Sequence, residues 1–113
     1  MKKITAYIKK HKLQKVTLAL HRVEGLSGMS VTDIRGFGRG KAKNAPTRVV
    51  EELVDYIPGV KIEIFCHDHK VEEIITVIEK SAHTGLRGDG KIYLQEVLDA
   101  VRINTGERGE EAV

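Results

Sequence analysis

The chain has 113 residues and a mass of 12.6 kDa, one domain's worth of chain, able to bury roughly two-thirds of its unfolded surface without a metal or a disulfide. Apolar residues at 41% and charged residues at 31% exclude disorder, the lone Cys66 excludes an internal disulfide and fits a reducing compartment, and short apolar stretches argue against secretion or a membrane span. The net charge of +3 conceals an asymmetry: residues 1–50 carry twelve Lys/Arg against Glu24 and Asp33, while residues 51–113 carry seven basic and fourteen acidic side chains. Two readings stay open: ends that attract each other within or between subunits, or a basic surface for phosphate or RNA.

Lys3-Ile4-Thr5-Ala6-Tyr7-Ile8-Lys9 alternates polar with apolar and predicts a half-buried strand. Over residues 12–24 the period changes, because Leu13, Val16, Leu20 and Val23 recur at three- and four-residue steps and form one helical stripe. Residues 29–37 return to strand character, ended by the glycine-rich Gly36-Phe37-Gly38-Arg39-Gly40. Residues 38–58 read as a long, exposed, mobile loop with Pro58-Gly59 closing it, and Val49 to Tyr56 could hold a short helix or strand. Residues 60–66 are the cleanest strand. Val71, Ile74, Ile75, Ile78 and Ala82 mark a second amphipathic helix, residues 85–90 a turn, and residues 91–95 a fourth strand. A tail from about residue 106 to 113 should be mobile unless a partner holds it. The order β-α-β-loop-β-α-β predicts one α+β domain over residues 1–113, a ferredoxin-like βαββαβ sandwich with both helices on one face. The other face offers Thr5, Tyr7, Lys61, Glu63, Phe65 and Tyr93, too rich for open water, and is expected to meet another subunit.

Gly85-Leu86-Arg87-Gly88-Asp89-Gly90-Lys91 fits seven positions of a phosphate-binding P-loop, but Ile92 replaces the Mg²⁺-holding hydroxyl. The motif also follows a helix and enters a strand, the reverse of a P-loop. Anion loop and plain turn both remain open from spacing alone. Arg35-Gly36-Phe37-Gly38 matches the start of an RNA-recognition signature that then fails, and five aromatic residues make a poor stacking platform. Cys66-His67-Asp68-His69 has metal-ligand spacing without a clear third ligand, and Asp68 reads equally as the N-cap of the following helix. His11, His21 and His83 are expected to face solvent. No nucleophile set or spaced carboxylate pair argues for catalysis.

Several segments together resemble the PII signal-transduction family: Met1-Lys2-Lys3-Ile4, Val31-Thr32-x-x-x-Gly36-Phe37-Gly38-Arg39, Val60-Lys61-Ile62-Glu63, Thr84-Gly85-x-x-Gly88-Asp89-Gly90-Lys91-Ile92 and Arg102-Ile103-x-Thr105-Gly106-Glu107. The resemblance spans nearly the whole chain in the family's order. It implies a cytoplasmic homotrimer that binds ATP or ADP in the clefts between subunits. It further implies a non-enzymatic regulator that acts on a transporter or metabolic enzyme through the loop at 40–57, with no nucleic acid and no membrane insertion. By match to the family's motifs, Gly88, Asp89, Gly90 and Lys91 would cradle phosphate, with Gly38 and Arg39 at the base of the long loop. Ser30 and Phe65 would line the adenine pocket, and Arg102 would contact phosphate. Asn104 stands where the family has a further phosphate-contacting arginine.

Other departures concern the family's second effector. Gly40 replaces a glutamine that helps hold Mg²⁺ and 2-oxoglutarate, and Gly59 replaces a lysine that pairs with the 2-oxoglutarate carboxylate. Mg²⁺ is therefore left open, and 2-oxoglutarate binding is expected to be weak or absent. Glu52 and Val50 replace the tyrosine and serine modified in other members. The competing readings are a metal-responsive sensor built on Cys66, His67 and His69, and an RNA-binding module.

Overall fold

The computed structural model describes residues 1–37 and 57–113. Four strands, β1 (Lys2–Lys9), β2 (Ser30–Gly36), β3 (Ile57–Cys66) and β4 (Lys91–Glu96), form one antiparallel sheet in the order β2-β3-β1-β4. Two helices, α1 (Leu13–Leu20) and α2 (Val71–Ala82), each follow a short 3₁₀ turn and cover one face. This is the expected ferredoxin-like arrangement.

Alternation along the strands places the core. Ile4, Ala6 and Ile8 lie directly opposite Ile64, Ile62 and Val60, and all six are buried on the helix side. Val16 and Leu20 from α1 close over them with Val71, Ile74, Ile78 and Ala82 from α2. Ser81, the polar residue inside this layer, returns its hydroxyl to the Val77 carbonyl at 2.6 Å. Glu72 and Glu73 in the first turn of α2 and Lys80 in the last complement the helix dipole.

Four expectations require correction. The first helix is shorter than residues 12–24, because residues 10–12 form a 3₁₀ turn and residues 21–25 leave the helix through bends to Gly25 at φ +79°. Pro58-Gly59 does not close the loop; β3 already runs through it. Lys9 pairs with Gly59 as the last residue of β1, so Pro58 has no neighbour on that side and needs no amide there. Asp68 does not cap α2, whose first flanking residue is Lys70. Its carboxylate instead accepts the N-terminal ammonium at 2.9 Å and Lys2 Nζ at 3.1 Å.

The tail is the fourth. Asp99 accepts the amides of Ala100 and Gly109 and the guanidinium of Arg108, Val101 bridges Arg108, and Gly109–Ala112 form a 3₁₀ turn. The Arg108 guanidinium holds the Asp99 carboxyl below its ordinary range. The expected loop at 38–58, and any element within 49–56, lies outside the described residues except for Ile57 and Pro58.

Ile74 is fully buried between the helices and the sheet. Ile74→Ala is expected to destabilise the fold by about 2–5 kcal/mol in denaturant unfolding, against well under 1 kcal/mol for an exposed change such as Gln14→Ala.

Candidate functional site: a glycine-rich loop clamped at one end of the sheet

Residues 83–90 connect α2 to β4 and lie against the end of β1. Two constraints hold them. Gly90 has φ +98°, and a Cβ there would stand 1.6 Å from the Tyr7 carbonyl oxygen, so backbone touches backbone and no side chain fits. The second is Asp89. Its carboxylate accepts the Thr84 hydroxyl, the Thr84 amide at 2.9 Å and the Gly85 amide at 3.0 Å, and it pairs with Lys9 Nζ at 3.2 Å. The Thr84 oxygen in turn accepts Lys9 Nζ and the Leu86 amide, each at 3.0 Å.

The Thr84 hydroxyl, then the two loop amides and Lys9, hold the Asp89 carboxyl far below the usual carboxylate range. Neither Lys9 nor Thr84 was singled out as a site residue from the sequence. Their signal is present all the same: a threonine leaving the helix, a carboxylate five residues on, and a lysine ending a strand that must neighbour that turn.

The loop forms one wall of a cleft of about 560 Å³. Gly36, Phe37, Ile57 and Pro58 form another, and Lys9 also lines the cleft. Gly36 pairs with Ile57 in the β2·β3 ladder, so the two chain ends flanking residues 38–56 meet on one rung beside the glycine-rich loop. Of the candidate residues, Gly88, Asp89, Gly90 and Lys91 are therefore together, with Lys91 opposite Tyr7 at the start of β4. Gly38 and Arg39 lie outside the described residues.

The remaining candidates stand at the other end of the sheet. Ser30 opens β2 opposite Glu63. Phe65 is opposite Lys3, whose Nζ sits 5.9 Å from the ring centroid, and it lies six positions along β3 from Gly59, about 20 Å of strand. Arg102 and Asn104 belong to the extension that leaves β4 beside Met1, with the Val97 amide bonded to the Met1 carbonyl. Arg102 is held by Glu107 at 3.7 Å and by the Glu111 carbonyl at 3.5 Å, and Asn104 is exposed. Within one chain, Lys91 and Arg102 thus belong to opposite ends of the sheet.

The uncovered face carries Tyr7 and Tyr93 edge to face at 5.9 Å, with Lys3 and Lys61 on Glu63 at 2.8 and 3.5 Å. An edge-to-face pair is not the open flat platform that stacked bases need. Cys66 faces the core, where burial raises its thiol pKa, while His67 and His69 stack on each other at 5.8 Å. Among the described residues, no three His, Cys, Asp or Glu side chains converge on a metal position. His11, His21 and His83 are exposed as expected. No described helix is long and apolar enough to cross a membrane.

A family model described as nitrogen regulatory protein P-II matches residues 1–107. The chain belongs to the P-II family. It is 49% identical to the nitrogen regulatory protein P-II of Azospirillum brasilense and 48% identical to that of Rhodospirillum rubrum, over the full 113 residues of this chain and the full length of each relative. Among solved structures it resembles Arabidopsis thaliana PII bound to citrate, with a TM-score of 0.80 at 36% identity, covering 99% of this chain and 91% of that one. The P-II relatives are named as regulatory proteins, and nitrogen regulation is the field of the family.

Two outcomes follow from the loop. Gly90→Ala cannot be accommodated without moving β1 or the loop, and is expected to lower the melting temperature sharply or prevent soluble expression, whereas Gly106→Ala, with nothing within 4 Å of its added Cβ, should leave soluble protein. The second concerns acid. A carboxyl whose folded-state pKa is depressed adds stability that is complete above its unfolded value near ~3.9 and is lost as pH falls below that. Asp89→Asn should therefore lower the melting temperature at pH 7 and flatten its fall between about pH 4 and pH 2, read by calorimetric scans.

Proposed function

We propose that this P-II protein is an adenine-nucleotide-sensing regulator that works as a cytoplasmic homotrimer. ATP or ADP would lie between subunits. The observation that carries this reading is the division of the candidate residues into two half-sites. Gly88, Asp89, Gly90 and Lys91 occupy one end of the sheet, while Ser30, Phe65, Arg102 and Asn104 belong to the other. A nucleotide is too short to touch both within one subunit, but would meet both where one subunit's end abuts the next.

Two features support the assembly. Leu98 and Ile103 are 94% and 99% exposed, and the open sheet face carries half-exposed Phe65 and Tyr93, apolar area that association would remove from water. The charge asymmetry also favours ends of opposite sign meeting between subunits.

In this reading phosphate sits against the amides of the glycine-rich loop, with Gly38 and Arg39 completing the pocket, and Lys91 of one subunit with Arg102 of the next offsets its charge. Asn104 in place of an arginine removes one charge-assisted contact, worth about 1.5–3 kcal/mol, and narrows the preference for ATP over ADP. The nucleotide biases the segment at 40–57, which presents one of two states to a target, either a transporter or a metabolic enzyme.

With Gly40 and Gly59 offering no side chain, 2-oxoglutarate and its Mg²⁺ lose two of their holds. A Cβ at Gly59 would stand 3.3 Å from the Ile8 carbonyl oxygen, so the position is crowded by backbone as well as lacking charge. Glu52 and Val50 leave no hydroxyl at the positions modified in other members.

The test is calorimetric titration with ADP and with ATP, each with and without 2-oxoglutarate and Mg²⁺. One nucleotide per subunit, with less than twofold change on adding 2-oxoglutarate, is the expected result. Absence of nucleotide binding would overturn the reading. Strong enhancement of ATP binding by 2-oxoglutarate would restore the family's usual second effector.

A further inference from the structure

We propose that Lys9 is a positioning residue for nucleotide phosphate, acting through Asp89 and Thr84 to keep the glycine-rich loop open to an anion. The inference rests on the nucleotide reading above and adds a residue to it. An anion-binding loop that contains its own carboxylate has an electrostatic difficulty: Asp89 repels the ligand that its neighbours attract. The geometry answers it twice. Two amides and one hydroxyl, from Thr84 and Gly85, donate to the Asp89 carboxylate and tie it to the loop's own entry. Lys9 then places a full positive charge 3.2 Å from Asp89 and 3.0 Å from the Thr84 oxygen that bridges them.

Lys9 is suited to this by its place in the fold. It is the last residue of β1, paired with Gly59, so its backbone is fixed by the ladder. Its stem runs beneath the loop, where a Cβ on Gly88 would meet Lys9 Cε at 3.7 Å, and the side chain is only 20% exposed. Lys9 also lines the 560 Å³ cleft with Arg87, Gly88 and Gly90. Its ammonium is therefore below the surface that phosphate would approach, committed to Thr84 and Asp89. Without it, the hydroxyl loses a donor, the carboxylate faces phosphate uncompensated, and the amides of Thr84 and Gly85 lose part of what orders them.

Lys9→Met keeps the stem and removes the charge. The experiment titrates wild type and K9M with adenosine, ADP and ATP, and follows amide hydrogen exchange of Thr84 and Gly85. Expected is at least a tenfold loss of ADP affinity, a larger loss for ATP, adenosine affinity within twofold of wild type, and faster exchange at both amides. Thr84→Val removes the bridging hydroxyl while leaving Lys9 in place, and should show the same dependence on phosphate number. Equal losses for adenosine and ADP would mean that Lys9 serves only the fold and would overturn the proposal; so would unchanged ADP affinity in K9M. If wild type binds no nucleotide, the reading under the previous heading fails and takes this one with it, a result distinct from a binding wild type with an indifferent K9M.

Discussion

Four donor groups converge on the Asp89 carboxylate, and the shape of the candidate site depends on that convergence. The turn between α2 and β4 has glycines at 85, 88 and 90, all at positive φ, which gives it conformational freedom rather than a conformation. Freedom is costly in a binding loop, because the ligand must then order it. Asp89 removes that cost in advance by tying the loop's entry at Thr84 and Gly85 to its exit, while Gly90 presses the exit onto the Tyr7 carbonyl. The glycines make the close approach sterically allowed; the carboxylate makes it unique. The same group explains why a P-loop pattern can occur without a P-loop's helix. The amide donors are organised by a side chain instead of by a helix N-terminus.

The sheet imposes the second constraint. Strands of six to ten residues keep the two groups of candidate residues apart, and a rigid hydrogen-bonded ladder does not fold back to bring them together. The face away from the helices meanwhile holds an aromatic pair and a Lys3–Glu63–Lys61 cluster rather than a dry core. The hydrogen bond from Lys3, with the charge of Lys61 behind it, lowers the Glu63 carboxyl below its ordinary value. Such a surface is polar enough to stay soluble in a free chain and apolar enough to pack, which is the character of an interface rather than of an interior.

How much of this was legible beforehand follows from which interactions have a period. Strict alternation in residues 3–9 and 60–66 and the three-and-four spacing of residues 71–82 identified β1, most of β3 and α2, because burial on one face is a periodic constraint. The glycine motif and the family's segments located the loop. What escaped were contacts between residues far apart in the chain. The place of Asp68 before a helix allows a cap as readily as a metal-spaced segment, but its partners are 66 and 67 residues away. The tail is expected to be mobile unless a partner holds it, and its holding contact, Asp99 to Arg108, comes from inside the same chain. Lys9 was one of twelve basic residues in its half of the chain, and nothing local marks it as the one that meets Asp89. Charge composition shows that partners exist without saying which ones.

A regulator must also convert a small chemical difference into a change that a partner can read, and the rung Gly36–Ile57 limits how this chain can do so. A ligand shifts an equilibrium only by the difference in its affinity for the two states. ADP and ATP differ by one phosphate, and a tenfold shift in population needs about 1.4 kcal/mol, close to the net worth of one charge-assisted hydrogen bond. On the proposed reading, contacts made equally to both nucleotides, such as one at Phe65, would add affinity and no signal. The useful contacts are those near the terminal phosphate that also touch the rung, and the cleft brings Gly36, Ile57, Gly88 and Gly90 within one cavity. On the same reading, an anion bound in that cleft would share a wall with the Gly36–Ile57 rung that flanks residues 38–56. On the proposed reading, Asn104 in place of a second phosphate-contacting arginine would leave that wall, rather than the far half-site, to carry the discrimination.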